Sequence, residues 1–413
     1  MKNHFWQLAL SFSGITLWVA FTIIALNAPT AQALQQQSNP PSSNSYQLVQ
    51  SVPAGTQLAN PKLPYAKETW VRSIQESQST IDIEQMYVQG EDGEALDDVI
   101  TALKQAAEVR NVKIRFLVSS KMKDTDPATM ARIKAIKNLE MRDVDYGALT
   151  GGIQHAKFFI FDHKKIFVGS QNFDWKALTQ ILELGVQIED ATIASQLQSI
   201  FDLDWSMALT KKIPEDLGVA ASADSQSDVL MVASPAATTA KNIPDAFSEL
   251  KGMILSANKI LKISVMDYST FRYGSKQEWT ELDQLLRIRA AEGLRIQLLV
   301  SHWNTEEPEI RSIKSLCQVP NVEVRIATIP EIANRPLSFA RVNHGKFMIA
   351  DSATLWMGTS NWSHGYFFAT RGIEFIFKKP EMAADAEVVF DLLWKAPYTE
   401  PVDVNRDYPK PRK

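Results

Sequence analysis

The chain has 413 residues, 45% of them hydrophobic, enough to bury two ordinary cores. Its 43 Lys and Arg against 47 Asp and Glu give a net charge of −4, which argues against a broad basic groove for duplex DNA but leaves room for a locally positive cleft. The single cysteine, Cys317, excludes an intramolecular disulfide and reads as a small buried apolar residue rather than a nucleophile.

Residues 1–33 read as a signal peptide, with Lys2, an apolar run from Leu8 to Leu26, and Ala31-Gln32-Ala33 as a cleavage site. The run is just long enough to span a bilayer, so an uncleaved anchor is the competing reading. The alanine site and Pro29 favour cleavage, hence an exported protein, periplasmic or secreted. Residues 34–62 are polar and low in complexity, and no Asp, Glu, Lys or Arg falls between Lys2 and Lys62, which predicts a disordered linker.

The remainder reads as a duplication. Helical Glu68–Ser77 precedes a strand at Ile81–Val88, and helical Ala95–Ala107 precedes a strand at Val112–Ser119. The order recurs as Asp245–Ala257 before Leu261–Tyr268, and Glu281–Ala291 before Leu294–Ser301. Strand-like Leu139–Arg142 and Val322–Ile326 follow in the two halves. Strands alternating with amphipathic helices predict a layered α/β fold. The halves are placed at 63–212 and 241–400, with a surface linker at 213–240 rich in small polar residues and a tail at 401–413.

Each half carries one copy of a motif. His155-Ala-Lys157-Phe-Phe-Ile-Phe-Asp162 and His344-Gly-Lys346-Phe-Met-Ile-Ala-Asp351 both read His-x-Lys-x4-Asp. Gly-[Ser/Thr]-x-Asn follows at the same offset, supplying Ser170 and Asn172, then Thr359 and Asn361. A lone His-x-Lys on an apolar strand is usually just its polar face, but two completed copies are hard to obtain by chance. On a strand the histidine and lysine share one face, whereas Asp162 and Asp351, seven residues on, fall opposite and support the strand.

Two lysines and two asparagine amides offer what phosphate oxygens need. A neutral imidazole can attack phosphorus while a protonated one gives its proton to the leaving oxygen. The inventory calls for no metal and no cofactor. Such a histidine needs its other nitrogen held, and Glu183 and Glu374, 11 and 13 residues beyond the asparagines, are candidates, with a solvated position as the alternative. Neither half has a full set, so both should meet at one cleft. His163 reads as solvated in a tight turn, and His302 and His364 as structural or surface groups.

The paired motif resembles that of the phospholipase D superfamily. The surroundings, Asn172-Phe-Asp-Trp175 through Glu183, Ala340 through Lys346, and Gly358 through Trp362-Ser, resemble its endolysosomal phospholipase D3/D4 branch. The resemblance covers roughly residues 65–400. The animal proteins carry disulfides that this chain cannot form within itself. The resemblance implies a bilobed fold of two duplicated α/β/α sandwich halves sharing one active-site cleft. It also implies His155 as nucleophile and His344 as general acid, although the symmetry of the motifs alone permits the reverse. The implied activity is that of a phosphodiesterase with a phosphohistidine intermediate, a 5′-exonuclease on single-stranded nucleic acid. A phospholipase D acting on phospholipid headgroup diesters is the alternative, because the reacting group is the same. An inactive phosphate-surface binder is a second alternative, disfavoured by two intact motifs. From the aromatics expected near the mouth, which include Tyr366, the residues Tyr268, Trp303 and Trp362 are taken as substrate-stacking candidates.

Overall fold

Phe158, Phe159, Ile160 and Phe161 are all buried, alternate residues entering two different cores, so the first motif runs along a strand covered on both faces. In the second copy Phe347 and Ile349 share the core of Phe158 and Ile160, while Met348 and Ala350 enter a third. The computed structural model describes residues 44–222, 227–272 and 277–413, and Asn44–Lys413 form one unit. The expected signal peptide lies outside the described residues. Among those described, no helix is long and apolar enough to cross a membrane.

The first half contains strands β1 (Ser45–Ser51), β2 (Thr80–Gln85), β3 (Val88–Gln89), β4 (Lys113–Ser119), β5 (Leu139–Val144), β6 (Phe158–Phe161), β7 (Lys165–Gly169), β8 (Phe173–Asp174) and β9 (Glu183–Glu189). The second contains β10 (Val229–Ser234), β11 (Ile260–Val265), β12 (Arg295–Ser301), β13 (Val322–Ala327), β14 (Phe347–Ala350), β15 (Thr354–Gly358), β16 (Gly372–Phe377) and β17 (Thr399–Pro401). Two large sheets result, ordered β1-β9-β7-β6-β2-β4-β5 and β10-β16-β15-β14-β11-β12-β13-β17. Strand for strand the second repeats the first and adds β17. In both, the three strands beginning at β2 or β11 run parallel and the motif hairpin is antiparallel.

Helices Ala66–Glu76 and Ala95–Glu108 cover one face of the first sheet, and Ala246–Ser256 and Glu281–Ala291 cover the matching face of the second. The other faces join one central core with helices Ala191–Thr210 and Pro380–Trp394. The two halves therefore share their largest apolar cluster.

Three boundaries differ from expectation. Part of the supposed linker 34–62 is β1, paired with β9 from Ser45↔Glu189 to Ser51↔Glu183. Leu48 is buried and the Gln50 amide donates to the carbonyls of Asn60 and Leu63, so a stretch without charges still closes a sheet edge. The linker 213–240 contains β10, the corresponding edge of the second sheet, with Val229, Met231 and Ala233 in the central core. The tail 401–413 starts inside β17; Val402 N–H donates to Val324, and Val402 and Tyr408 pack on the core. Cys317 is half-buried, its thiol 3.2 Å from the Lys314 carbonyl.

Candidate active site

Both motif aspartates stand at the hairpin turns. Asp162 and His163, then Asp351 and Ser352, have φ of 50°, 56°, 54° and 55°, the left-handed central pairs of turns closed by Lys164 N–H to Phe161 and Ala353 N–H to Ala350. From there Asp162 accepts the N–H groups of Gln78, Ser79 and Thr80 at 2.7–3.0 Å, and Asp351 accepts those of Asn258, Lys259 and Ile260 at 2.7–2.9 Å. Each carboxylate thus ties the motif hairpin to the start of the neighbouring strand, β2 or β11. Burial alone would raise Asp351; the amides of Ile260, Asn258 and Lys259 outweigh it and hold the carboxyl below its ordinary value. A depressed folded value means stabilisation present above about pH 4 and lost as pH falls through the folded value. Asp351→Asn is therefore expected to lower Tm at neutral pH while keeping the rate per folded molecule within about tenfold, roughly 1.4 kcal/mol of barrier. Melting curves paired with active-site-normalised rates check this, and a thousandfold loss of rate at unchanged Tm would contradict it.

At the other end of each hairpin the reactive groups converge. Backbone crosses between halves in matched fashion: Arg371 N–H donates to Ile153 and His155 N–H to Arg371, at 3.0 and 3.2 Å. Leu182 N–H donates to Val342 and His344 N–H to Leu182, at 3.0 and 2.9 Å. Each histidine is thus pinned by the opposite half. Each lysine hooks back to its own motif, Lys157 Nζ to the His155 carbonyl at 2.5 Å and Lys346 Nζ to the His344 carbonyl at 2.6 Å. His155, Lys157, Asn172, His344, Lys346 and Asn361 are all buried, and the Oδ1 atoms of both asparagines have no partner among the described residues.

A hydrogen-bonded contact joins reactive groups of the two halves directly. Nδ1 of His344 lies 2.7 and 2.8 Å from the carboxylate oxygens of Glu183, so the opposite half orients this imidazole and leaves Nε2 for chemistry. Burial pushes the Glu183 carboxyl up to about 8 and holds the His344 imidazolium well below its ordinary value. Two buried partners at this distance titrate as a pair. Burial, with Lys157, Lys346 and His344 nearby, also keeps His155 neutral. Lys346 is lowered to about 7 by burial, and Lys157 is lowered well by burial and Lys346. Burial first, and for the two histidines and Lys157 also the neighbouring lysines, disfavours the charged forms until an anion joins them.

Glu374 does not mirror Glu183. The Ser170 N–H and hydroxyl engage Leu184, and Thr359 engages Ile373 in the same way. By that register Glu183 corresponds to Gly372, and Glu374 to Gly185. A Cβ on Gly372 would stand 2.9 Å from Oε1 of Glu374, so this carboxylate reaches back over the glycine into the place corresponding to the Glu183 side chain. It makes no close hydrogen bond there, and Nδ1 of His155 is likewise without a partner among the described residues. The expectation that Glu374 holds a histidine is therefore corrected. Burial raises its carboxyl to about 7.

A scan against known families finds two matches. Residues 70–205 match the family described as "Cardiolipin synthase, PLD-like domain" and residues 144–330 the one described as "PLD3/4, PLD-like domain". Phospholipase D Z of Dictyostelium discoideum is 30% identical over 391 residues, covering 87% of this chain and 91% of that protein. The protein named 5'-3' exonuclease PLD3 of Xenopus laevis is 30% identical over 404 residues, covering 85% and 80%. The chain belongs to the phospholipase D superfamily, in its PLD3/4 branch. It is an enzyme of that phosphodiesterase superfamily. Phosphatidylserine synthase of Haemophilus influenzae Rd KW20 shares the fold, with a TM-score of 0.61 at 13% identity over 81% of this chain and 85% of that one.

Two of the stacking candidates in this phospholipase D-type site are core residues. Tyr268 is buried with its hydroxyl 2.8 Å from Asp283, and Trp362 is fully buried in the same cluster. Alternation sends Tyr268 into the core, and the preceding Asp267 stands 3.5 Å from the Asn361 amide. Burial raises Asp267 to about 6 against the pull of Lys346. Trp303 is half-buried, edge-on to Phe339 at 6.0 Å and beneath the Lys413 ammonium.

Other residues bearing on the site escaped sequence reading. Behind His155, Arg371 makes two 2.8 Å bonds to Asp204 and further bonds to Ser234, Thr238 and Thr239, all buried. Gln154 donates to Glu84 at 3.0 Å, and Asn343 donates to Ser264 at 3.0 Å. The amide immediately before the histidine in both copies was a signal available from sequence.

Proposed function

We propose that this enzyme hydrolyses phosphodiesters without a metal ion, through a phosphohistidine, and removes nucleotides from the 5′ end of single-stranded nucleic acid. The observation that carries the mechanism is the Glu183–His344 contact between the two halves, which supports one reacting centre with two inequivalent histidines. Nε2 of neutral His155 attacks phosphorus and the P–O bond to the leaving alcohol breaks as Nε2 of His344 gives that oxygen a proton. His344, now neutral, takes a proton from water as the water oxygen attacks phosphorus and the P–N bond breaks. Lys157, Lys346, Asn172 and Asn361 steady the non-bridging oxygens throughout. Ser170 and Thr359 hold the asparagine loops to β9 and β16. Among the described residues no three His, Cys, Asp or Glu side chains converge as metal ligands.

The substrate class rests on membership of the PLD3/4 branch and on relatives named 5'-3' exonuclease PLD3. Hydrolysis of phospholipid headgroup diesters is the second reading, favoured by the name of the Dictyostelium relative. We further propose that the protein works after export, guided by the apolar run and alanine site at its start. The purified protein in millimolar EDTA is expected to shorten single-stranded oligonucleotides from the 5′ end while duplex and phosphatidylcholine vesicles persist. Gel analysis and lipid extraction read both arms. Hydrolysed phosphatidylcholine beside untouched oligonucleotides would give the lipid reading, and activity lost in EDTA but restored by magnesium would end the metal-free mechanism.

A further inference from the structure

Tyr366 lies on the short helix His364–Phe368 that follows the second asparagine motif. Its hydroxyl accepts the Asn361 amide at 3.1 Å, and its ring stands edge-on to His155, with centroids 5.0 Å apart and planes at 79°. One side chain thus touches the phosphate-binding amide of its own half and the attacking imidazole of the other. The Asn361 amide is also 3.5 Å from Asp267, so this asparagine has a phenol and a carboxylate beside it.

The first half reaches a similar surrounding by a different route. Tyr87 donates to Asp174 at 3.0 Å, next to Asn172. Strand register makes Tyr87 the counterpart of Asp267, since Ile81 faces Phe161 as Leu261 faces Ala350. Five residues beyond Asn172, the counterpart of Tyr366 is Ala177, which has no polar side chain. Duplication therefore did not copy the phenol from one half to the other. Each half places one at its asparagine from a separate position, which points to a demand of the reacting centre rather than of the fold.

We propose that Tyr366 is a catalytic residue, its hydroxyl donating to a non-bridging oxygen of the phosphate that Asn361 binds while its ring edge sets the approach of His155. The assignment rests on the phosphohistidine reading above. Donors aimed at a phosphorus centre gain strength as charge develops on its oxygens, so the contact acts on kcat more than on KM.

The test compares the full chain with Tyr366→Phe, Asn361→Ala, the double variant and His155→Asn, using bis(p-nitrophenyl) phosphate as substrate and orthovanadate as the phosphate probe. Tyr366→Phe keeps the ring, so Tm is expected to stay unchanged while kcat falls about a hundredfold. KM should shift by less than about threefold and vanadate inhibition should weaken about tenfold, as for a contact made chiefly in the transition state. In the Asn361→Ala background the same change should still cost about fivefold or more, because the phenol touches the phosphate itself. Full loss of the effect in that background would make the tyrosine a mere support of Asn361 and overturn the proposal. So would a kcat and vanadate affinity within about twofold of wild type. A wild type inert toward the diester, or a His155→Asn variant that still turns over, would overturn the phosphohistidine reading and this assignment with it.

Discussion

His155→Asn is expected to abolish turnover of every phosphodiester, whereas His344→Asn should spare the first step with a substrate whose leaving group needs no proton. The two histidines carry the same motif but not the same surroundings. His344 is held at Nδ1 by Glu183 at 2.7 Å, and burial raises that carboxyl to about 8. A carboxylate partner favours imidazolium once a phosphate is bound, the state a general acid needs. Among the described residues no carboxylate meets Nδ1 of His155, and burial with two lysines and His344 around it disfavours its charged form, as a nucleophile requires. Losing general-acid help typically costs about 10²–10⁴ with an ordinary alkoxide, and far less with p-nitrophenolate, which leaves without a proton. Single-turnover rates on alkyl and p-nitrophenyl diesters measure the contrast. Equal rescue of both variants by the activated substrate would refute the division of labour.

The largest expected effect on stability is at Arg371. Its guanidinium is fully buried against Asp204, itself fully buried, and it carries the β10 segment through Ser234, Thr238 and Thr239. Tyr146 donates to the same aspartate at 2.7 Å. Arg371→Leu would strand Asp204 without a counter-charge, which typically costs about 3–5 kcal/mol, while replacing both partners by apolar groups costs much less. For a chain of this size the single variant should melt roughly 4–6 °C lower. Asp204→Leu added to Arg371→Leu should recover part of that loss, a non-additivity that denaturant titrations of both singles and the double resolve. A single-variant cost under about 1 kcal/mol would mean water reaches the pair.

The repeated helix-strand order and the two motifs were legible because duplication prints the same spacing twice. The matching strand orders of the two large sheets follow from it. β1 and β10 were not legible, since both lie in stretches whose composition reads as linker and become strands only by pairing with β9 and β16. Glu183 and Glu374 looked equivalent, being acidic residues at nearly the same distance past their asparagines. The two-residue difference places them at different rungs, and only Gly372 lets the second carboxylate fold back. Tyr268, at the end of a predicted strand, and Trp362, beside Asn361, were read as cleft residues; both lie in the core, and Asp267 meets Asn361 instead. Arg371 and Asp204 lie 167 positions apart and share no motif, so nothing in the chain announced their pairing.

Catalysis turns on a covalent intermediate on the first motif within a site completed by the second. It is tested most directly by mixing the His344→Asn variant with a p-nitrophenyl diester, quenching at high pH, where phosphohistidine survives, and mapping peptides by mass spectrometry. One phosphoryl-ester adduct per chain is expected, on His155, and it should disappear on acid treatment. An adduct on another residue of that variant, or p-nitrophenol released in excess with His155 unmodified at every quench time, would contradict it.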